Sequence, residues 1–196
     1  MNNRINELLE EIRALEEALA ETIKTQELEF YYRLEGTRVR FEKAVKQAHK
    51  KFKVGSLIWL ARSNPRNLIS APFIYFMIIP FSFLDISVTI YQWICFPLYK
   101  IARVKRSNYI AIDRYQLSYM NSFEKLNCTY CGYVNGLVAY TREITARTEQ
   151  YWCPVKHARK ILDPHRRYNR FTDFGDPQGY QEHIQTMREQ LSKNDE

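Results

Sequence analysis

Residues 68–98 read LISAPFIYFMIIPFSFLDISVTIYQWICFPL, and Asp85 is the one residue among them that is charged at neutral pH in water. A helix crossing a bilayer needs about 20 mostly apolar residues, and residues 73–96 meet that length. Two residues interrupt the run. Pro80 removes a helical hydrogen bond and kinks or breaks a helix. A carboxylate at Asp85 is costly in hydrocarbon unless it is protonated, paired or near water. Two geometries fit this pattern: a single kinked span, or a re-entrant helix–break–helix turning near Pro80–Asp85. Lys and Arg flank both ends of the run, so no inside–outside asymmetry exists, which favours the re-entrant form. Asp85 is expected to cap the helix broken at Pro80 through freed backbone N–H groups. A proton or metal relay, or pairing inside the membrane, is the functional alternative. A core helix of a soluble protein would need apolar cover that the rest of the chain is short of.

The charge distribution points the same way. The chain has 196 residues, a net charge of +7 and a predicted pI near 9.2. Between residues 38 and 66 stand nine Lys or Arg against a single acid, Glu42. Lys100, Arg103, Lys105 and Arg106 follow the apolar run. Basic clusters beside a membrane segment attract anionic headgroups by about 1 kcal/mol each, so an anionic membrane is the expected partner. Nucleic acid is set aside, because no helix-turn-helix or RNA-binding motif accompanies the charge.

Outward from this segment the pattern is helical. Ile5, Leu8, Ile12, Leu15 and Leu19 fall three and four apart in a helix expected over residues 3–35, continuing less regularly to Ile23 and Phe30 and stopping at Gly36. About two clean heptads suit self-association or a protein partner as well as packing on the chain itself. Residues 38–53 suit a basic interfacial helix at headgroup level, with His49 on its polar face. Helices are also expected at 108–127, 137–148 and 154–162. Asp176-Pro177 marks the start of a last, exposed helix. The division is 1–36 charged helix, 37–66 basic helix and linker, 67–99 membrane segment, 100–165 metal module and 166–196 polar tail or helix.

The second informative feature is a pair of motifs, LNCTYCGYVNG from residue 126 and RTEQYWCPVKHA from residue 147. Of four cysteines, Cys95 lies in the apolar run. Cys128-Thr-Tyr-Cys131-Gly132 has the look of a zinc knuckle. Cys153-Pro154 suits an N-cap followed by Pro at the first helical position, with His157 one turn on. Three thiolates and one imidazole form a closed tetrahedral set typical of structural zinc. Iron, or an iron–sulfur cluster, is the alternative, and buried unliganded cysteines are a third reading. A c-type haem is excluded because Gly132, not His, follows Cys131. Closure of the site requires the chain to reverse between Gly132 and Cys153, since an unbroken helix would hold the pairs apart. Glu149 and Arg147 would then serve as hydrogen-bonding or ion-pairing support, beside Arg142 and Glu143. His165 and His183 are expected at the surface.

The proline-broken segment followed by LNCTYCGYVNG and ARTEQYWCPVKHA, over residues 68–162, resembles an uncharacterised family of small bacterial membrane-associated proteins. The resemblance implies a bacterial inner-membrane setting, with soluble parts on the cytoplasmic face, and no reaction or cofactor. The fold expected is mainly α: membrane-associated helices plus a small metal-stapled helical module. A zinc-binding, non-catalytic scaffold or accessory subunit is the preferred function. The rival is a membrane-surface enzyme or redox component, with iron or zinc, acting on a lipid or quinone. No HExxH or comparable sequence supports hydrolysis.

Overall fold

The computed structural model describes residues 2–29, 32–35, 38–41 and 43–193, and it is mainly helical. Gly36, Phe30, Glu42 and the side chains of Ile5 and Ile23, which enter the reading above, lie outside the described residues. The chain divides into two compact units. One is Met1–Ala61 with Asp113–Leu126, and the other is Arg62–Ile112 with Asn127–Glu196.

In the first unit, α1 (Asn2–Glu29) precedes an antiparallel pair, β1 (Tyr32–Glu35) and β2 (Arg38–Phe41), in which Tyr32 opposes Phe41. The expected helix over 38–53 is therefore shorter: β2 takes its start, and α2 is Lys43–Lys50. A further short helix, α3, covers Ser56–Arg62. His49 is not merely polar surface, because its ring meets Phe41 and Tyr119 edge-on at 5.9 and 5.7 Å. Trp59 stacks on Phe123 at 5.9 Å.

The second unit begins with the apolar segment. Asn64 caps α4 (Pro65–Phe76), accepting from the Arg66 N–H, with Pro65 at the first helical position. Met77 separates α4 from α5 (Ile78–Tyr99) but keeps right-handed helical dihedrals. The expected turn at Pro80–Asp85 is absent, since α5 runs straight through both residues. Pro80 sits in the first turn of α5, where a missing N–H is tolerated. At the break the Ile74 carbonyl accepts from the Met77 N–H at 3.2 Å and from the Tyr130 hydroxyl at 2.7 Å. A side chain thus replaces part of the backbone ladder where it slips.

At its other end α5 stops on Lys100 in the left-handed conformation, φ 56°. The Ile101 N–H reaches back to the Phe96 carbonyl at 2.9 Å, and Ile101 and Phe96 join one buried cluster. This is a Schellman-type stop with its customary apolar contact. The chain then returns in an irregular stretch with two short 3₁₀ turns, Arg106–Asn108 and Arg114–Gln116. The helix expected over 108–127 is not formed there.

The long helix α6 spans Ser122–Trp152. Its start is fixed by a capping box: Asn121 Oδ1 accepts from the Phe123 and Glu124 N–H groups, and Glu124 returns the favour to the Asn121 N–H at 2.8 Å. The helix expected over 137–148 is its middle. Residues 154–162 are not helical. Instead Val155 and Thr172 form an isolated parallel bridge. The chain ends in α7 (Pro177–Lys193), capped by Asp176 through the Gly179 N–H at 2.9 Å.

Within the second unit, Asp85 meets Tyr133, Gln92 meets Tyr140, and Tyr99 stacks on Tyr151 at 4.8 Å. The pairs advance together, so α5 and α6 run parallel. The return stretch lies against both helices, with Val104 N–H on Gln92 Oε1 at 3.0 Å and Arg147 on the Ala102 carbonyl at 2.7 Å. Phe96, Ile101, Val104, Leu137, Tyr140, Ile144 and, from α7, Leu191 form the core. Gly136 is what lets the return stretch approach: a Cβ there would stand 2.6 Å from the Tyr109 carbonyl oxygen and 2.8 Å from Ile110 Cα. Helix propensity alone says that Gly136→Ala stabilises by about 1 kcal/mol. Because backbone must move to admit the methyl group, we expect a net loss of about 1–3 kcal/mol in urea unfolding. A gain would show that the return stretch does not pack on α6.

A polar seam, an apolar outer face and the cysteine motifs

The buried or half-buried side of α4–α5 carries a polar row at helical spacing, Tyr75, Ser82, Asp85, Thr89, Gln92 and Tyr99, beside the apolar Phe81, Leu84, Val88 and Phe96. The opposite face is exposed and apolar. Ile69, Phe73, Phe76, Phe83 and Leu98 are each about two thirds exposed or more, with Ile86, Ile90 and Ile94 above half. A water-soluble helix does the reverse, because leaving one large apolar side chain in water forgoes about 1.5–3 kcal/mol. Pro65–Tyr99 is, among the described residues, the one helical run long and apolar enough to cross a membrane by length and composition, and 6% of its most apolar window is buried. Among the described residues the run is thus not covered as a core helix would be.

The inward face is held by specific polar pairs. Asp85 accepts from the Tyr133 hydroxyl at 2.8 Å and pairs with Arg106. It does not cap the helix at Pro80, because its partners are the side chains of Tyr133 on α6, Arg106 in the return stretch and Thr89 on α5. Gln92 bridges two elements, donating to the Tyr140 hydroxyl and accepting from Val104 N–H. Tyr91 and Thr148 share a hydrogen bond of 2.9 Å. Tyr75 binds Asn127.

Further along α6, Glu143 accepts from Arg147 at 2.9 Å and from Arg167 at 2.7 Å, and Arg167 also donates to Gln150 Oε1. Burial alone would raise the Glu143 carboxyl, but the hydrogen bonds from Arg167 and Arg147 outweigh it and hold the group below its ordinary value of 4.5. Glu149 pairs with His165, whose side chain is 15% exposed, so His165 is enclosed and not at the surface as expected. Arg142 holds Asp163, and Arg188 of α7 lies 4.8 Å over the Tyr151 ring. These ties dock the segment after α6 and the last helix onto it.

The expected zinc module is not assembled. Cys128 and Cys131 both lie on α6, and Cys153 directly follows its last residue, with its N–H on the Glu149 carbonyl at 2.7 Å. With no reversal between them, the 22 residues from Cys131 to Cys153 correspond to about 33 Å of helix. Four ligands around one ion stand within a few ångströms of each other. The CPxKH segment also lacks the helix that would have aligned Cys153 with His157. The His157 N–H is taken by the Tyr168 hydroxyl at 2.6 Å, and its ring stacks on Tyr168. Among the described residues no group of three or more His, Cys, Asp or Glu is placed to hold a metal ion. Gly132, read as the turn after the second cysteine, is helical, and its lack of a side chain admits the Ala111 carbonyl.

Comparison with known proteins finds no matching family model, no similar curated protein and no similar solved structure.

Two measurements check this geometry. With Glu143 depressed, its contribution to stability is complete above the ordinary value of 4.5 and is lost as pH falls through the lower native value. Urea midpoints should therefore drop on acidification below 4.5, and Glu143→Gln should flatten that limb; an unchanged slope contradicts the ion cluster. For the cysteines, Cys128→Ser and Cys153→Ser should add within about 0.5 kcal/mol in a double-mutant cycle, as distant sites do. A strong coupling would mean that one ion holds both.

Proposed function

We propose that the protein is a membrane-associated, non-catalytic helical scaffold or accessory subunit. The observation that carries the reading is the inverted amphipathicity of α4–α5, polar towards the protein and apolar towards its surroundings. A hydrocarbon phase is the environment in which that arrangement is favourable. Anionic lipid is the fitting partner, since Lys100, Arg103 and Lys105 are exposed just beyond α5. The setting this fits is the cytoplasmic face of a bacterial inner membrane.

The scaffold role is supported by what the polar residues do. Asp85, Gln92, Glu143, Arg147 and Arg167 are each engaged with protein side chains or backbone, and most of these pairings fasten one element to the next. A catalytic group needs reach to a substrate atom. On α1, Leu8, Ile12, Leu15 and Leu19 are exposed, at 42, 52, 70 and 60%. That stripe is a surface for a partner helix or a second copy. The reading does not require the ion, because polar pairs and the apolar core already tie the segments that a metal was expected to staple.

The test is flotation of the full-length protein with phospholipid vesicles. Phe83→Asp combined with Ile90→Asp places two carboxylates on the outer face and away from the core. We expect partitioning to fall about a hundredfold or more, with helical content retained by circular dichroism. Undiminished flotation of the folded variant would overturn the anchor assignment.

A further inference from the structure

The charges beside α5 bear on how it meets a bilayer, and this step rests on the membrane-anchor reading above. By length alone α5, at 22 residues, measures about 33 Å and would match a hydrocarbon core of about 30 Å. A perpendicular span would, however, carry its neighbours into the lipid. Arg106 is paired with Asp85, which lies 14 residues before the end of α5, or about 21 Å along its axis. The Arg103 guanidinium lies 4.8 Å above the Trp93 ring, also within α5. Parallel α6 brings Arg142, Glu143 and Arg147 alongside as well. Exposed Arg103 and Lys105 would have to sit at hydrocarbon depth, where each cation is expensive.

The same charges are well placed if the helix lies down. From Asn67 to Tyr99 the outer face carries no ionisable residue, and the basic groups of the return stretch run beside its long edge. Trp93 stands on the border, 64% exposed, with Arg103 over its ring. Next to it opens a cavity of about 630 Å³ whose wall includes Thr89, Gln92, Arg103, Lys105 and Arg106. An aromatic ring at the edge of the apolar zone, with cations and a polar recess immediately beyond, matches the sequence of layers from acyl chain to phosphate.

We propose that α4–α5 lies in the plane of an anionic phospholipid bilayer, with its outer face in the acyl region. Residues 103–106 sit at the level of the lipid phosphates, and the chain does not cross the membrane here.

Depth measurements separate lying from crossing. Trp59, Trp93 and Trp152 are replaced by Phe in the full-length protein, and Phe73→Trp, Phe83→Trp and Leu98→Trp are introduced one at a time. Each variant is bound to phosphatidylcholine–phosphatidylglycerol vesicles containing lipids brominated near the carboxyl or the methyl end of the acyl chain. All three reporters should be quenched alike and more strongly by the shallow bromines. If Phe83→Trp is quenched best by the deep bromines while the other two favour the shallow ones, the helix crosses and the proposal is overturned, although the anchor reading stands. If the protein does not float with vesicles, both fail. Arg103→Gln with Lys105→Gln should lower binding to phosphatidylglycerol-containing vesicles about thirty-fold, with little change on pure phosphatidylcholine. An equal loss on both lipids would overturn the placement of these residues at the phosphates.

Discussion

The contact between the polar side of α5 and the return stretch on α6 organises the second unit. Two parallel helices adjacent in sequence cannot be joined by a short turn, so the chain must travel back the length of α5 before α6 can begin. That journey leaves backbone polar groups to be satisfied beside an apolar core. Gln92 takes the Val104 N–H, Arg147 takes the Ala102 carbonyl, and Gly132 and Gly136 provide room for the carbonyls of Ala111 and Tyr109. Asp85, held by Arg106 and Tyr133, fixes the register of all three strands of chain at one level. Without these groups α5 would be apolar on every side, with no reason to prefer one face for α6.

The same constraint explains the function proposed. A helix with polar groups turned inward has used its hydrogen-bonding capacity on its own protein. Its remaining surface is then apolar by elimination, and the mean hydropathy of the segment is high even though one side of it makes protein contacts. Hydropathy averages over the two faces and cannot tell a helix that crosses from one that lies along the surface. The side-by-side placement of charge can.

Much of the mainly helical fold was legible in the sequence, and so was the apolar segment, because both rest on composition and period. The break at Met77 was not, since Pro80 was read as the site of disruption when it stands in a first turn that tolerates it. Asn121-Ser-Phe-Glu124 is a capping box in plain view, and it would have placed the start of α6 correctly. The turn expected after Cys131 differs for another reason. Gly132 suggests a reversal when read locally, whereas its role is set by the carbonyl of Ala111, 21 residues earlier. Close approach and chain reversal leave the same glycine in a sequence, and only the tertiary contact separates them. Arg167, Gln150 and Tyr133 were missed because each acts through a partner at least 17 residues away.

That distinction bears on what the CxxC pattern means here. Spacing of two residues puts Cys128 and Cys131 near one face of a helix, just as it would put them around an ion in a knuckle. The motif therefore carries weight only with a turn to bend the backbone around the metal. In α6 the backbone amides of this region are spent on the helical ladder, and the capping box at Asn121 starts that ladder seven residues before Cys128. A knuckle would have to unwind a helix whose neighbouring turns supply Tyr130 to the Ile74 carbonyl and Tyr133 to Asp85. The residues interleaved with the cysteines are thus ones that fasten α6 to the apolar segment, and they give this stretch of sequence a structural role.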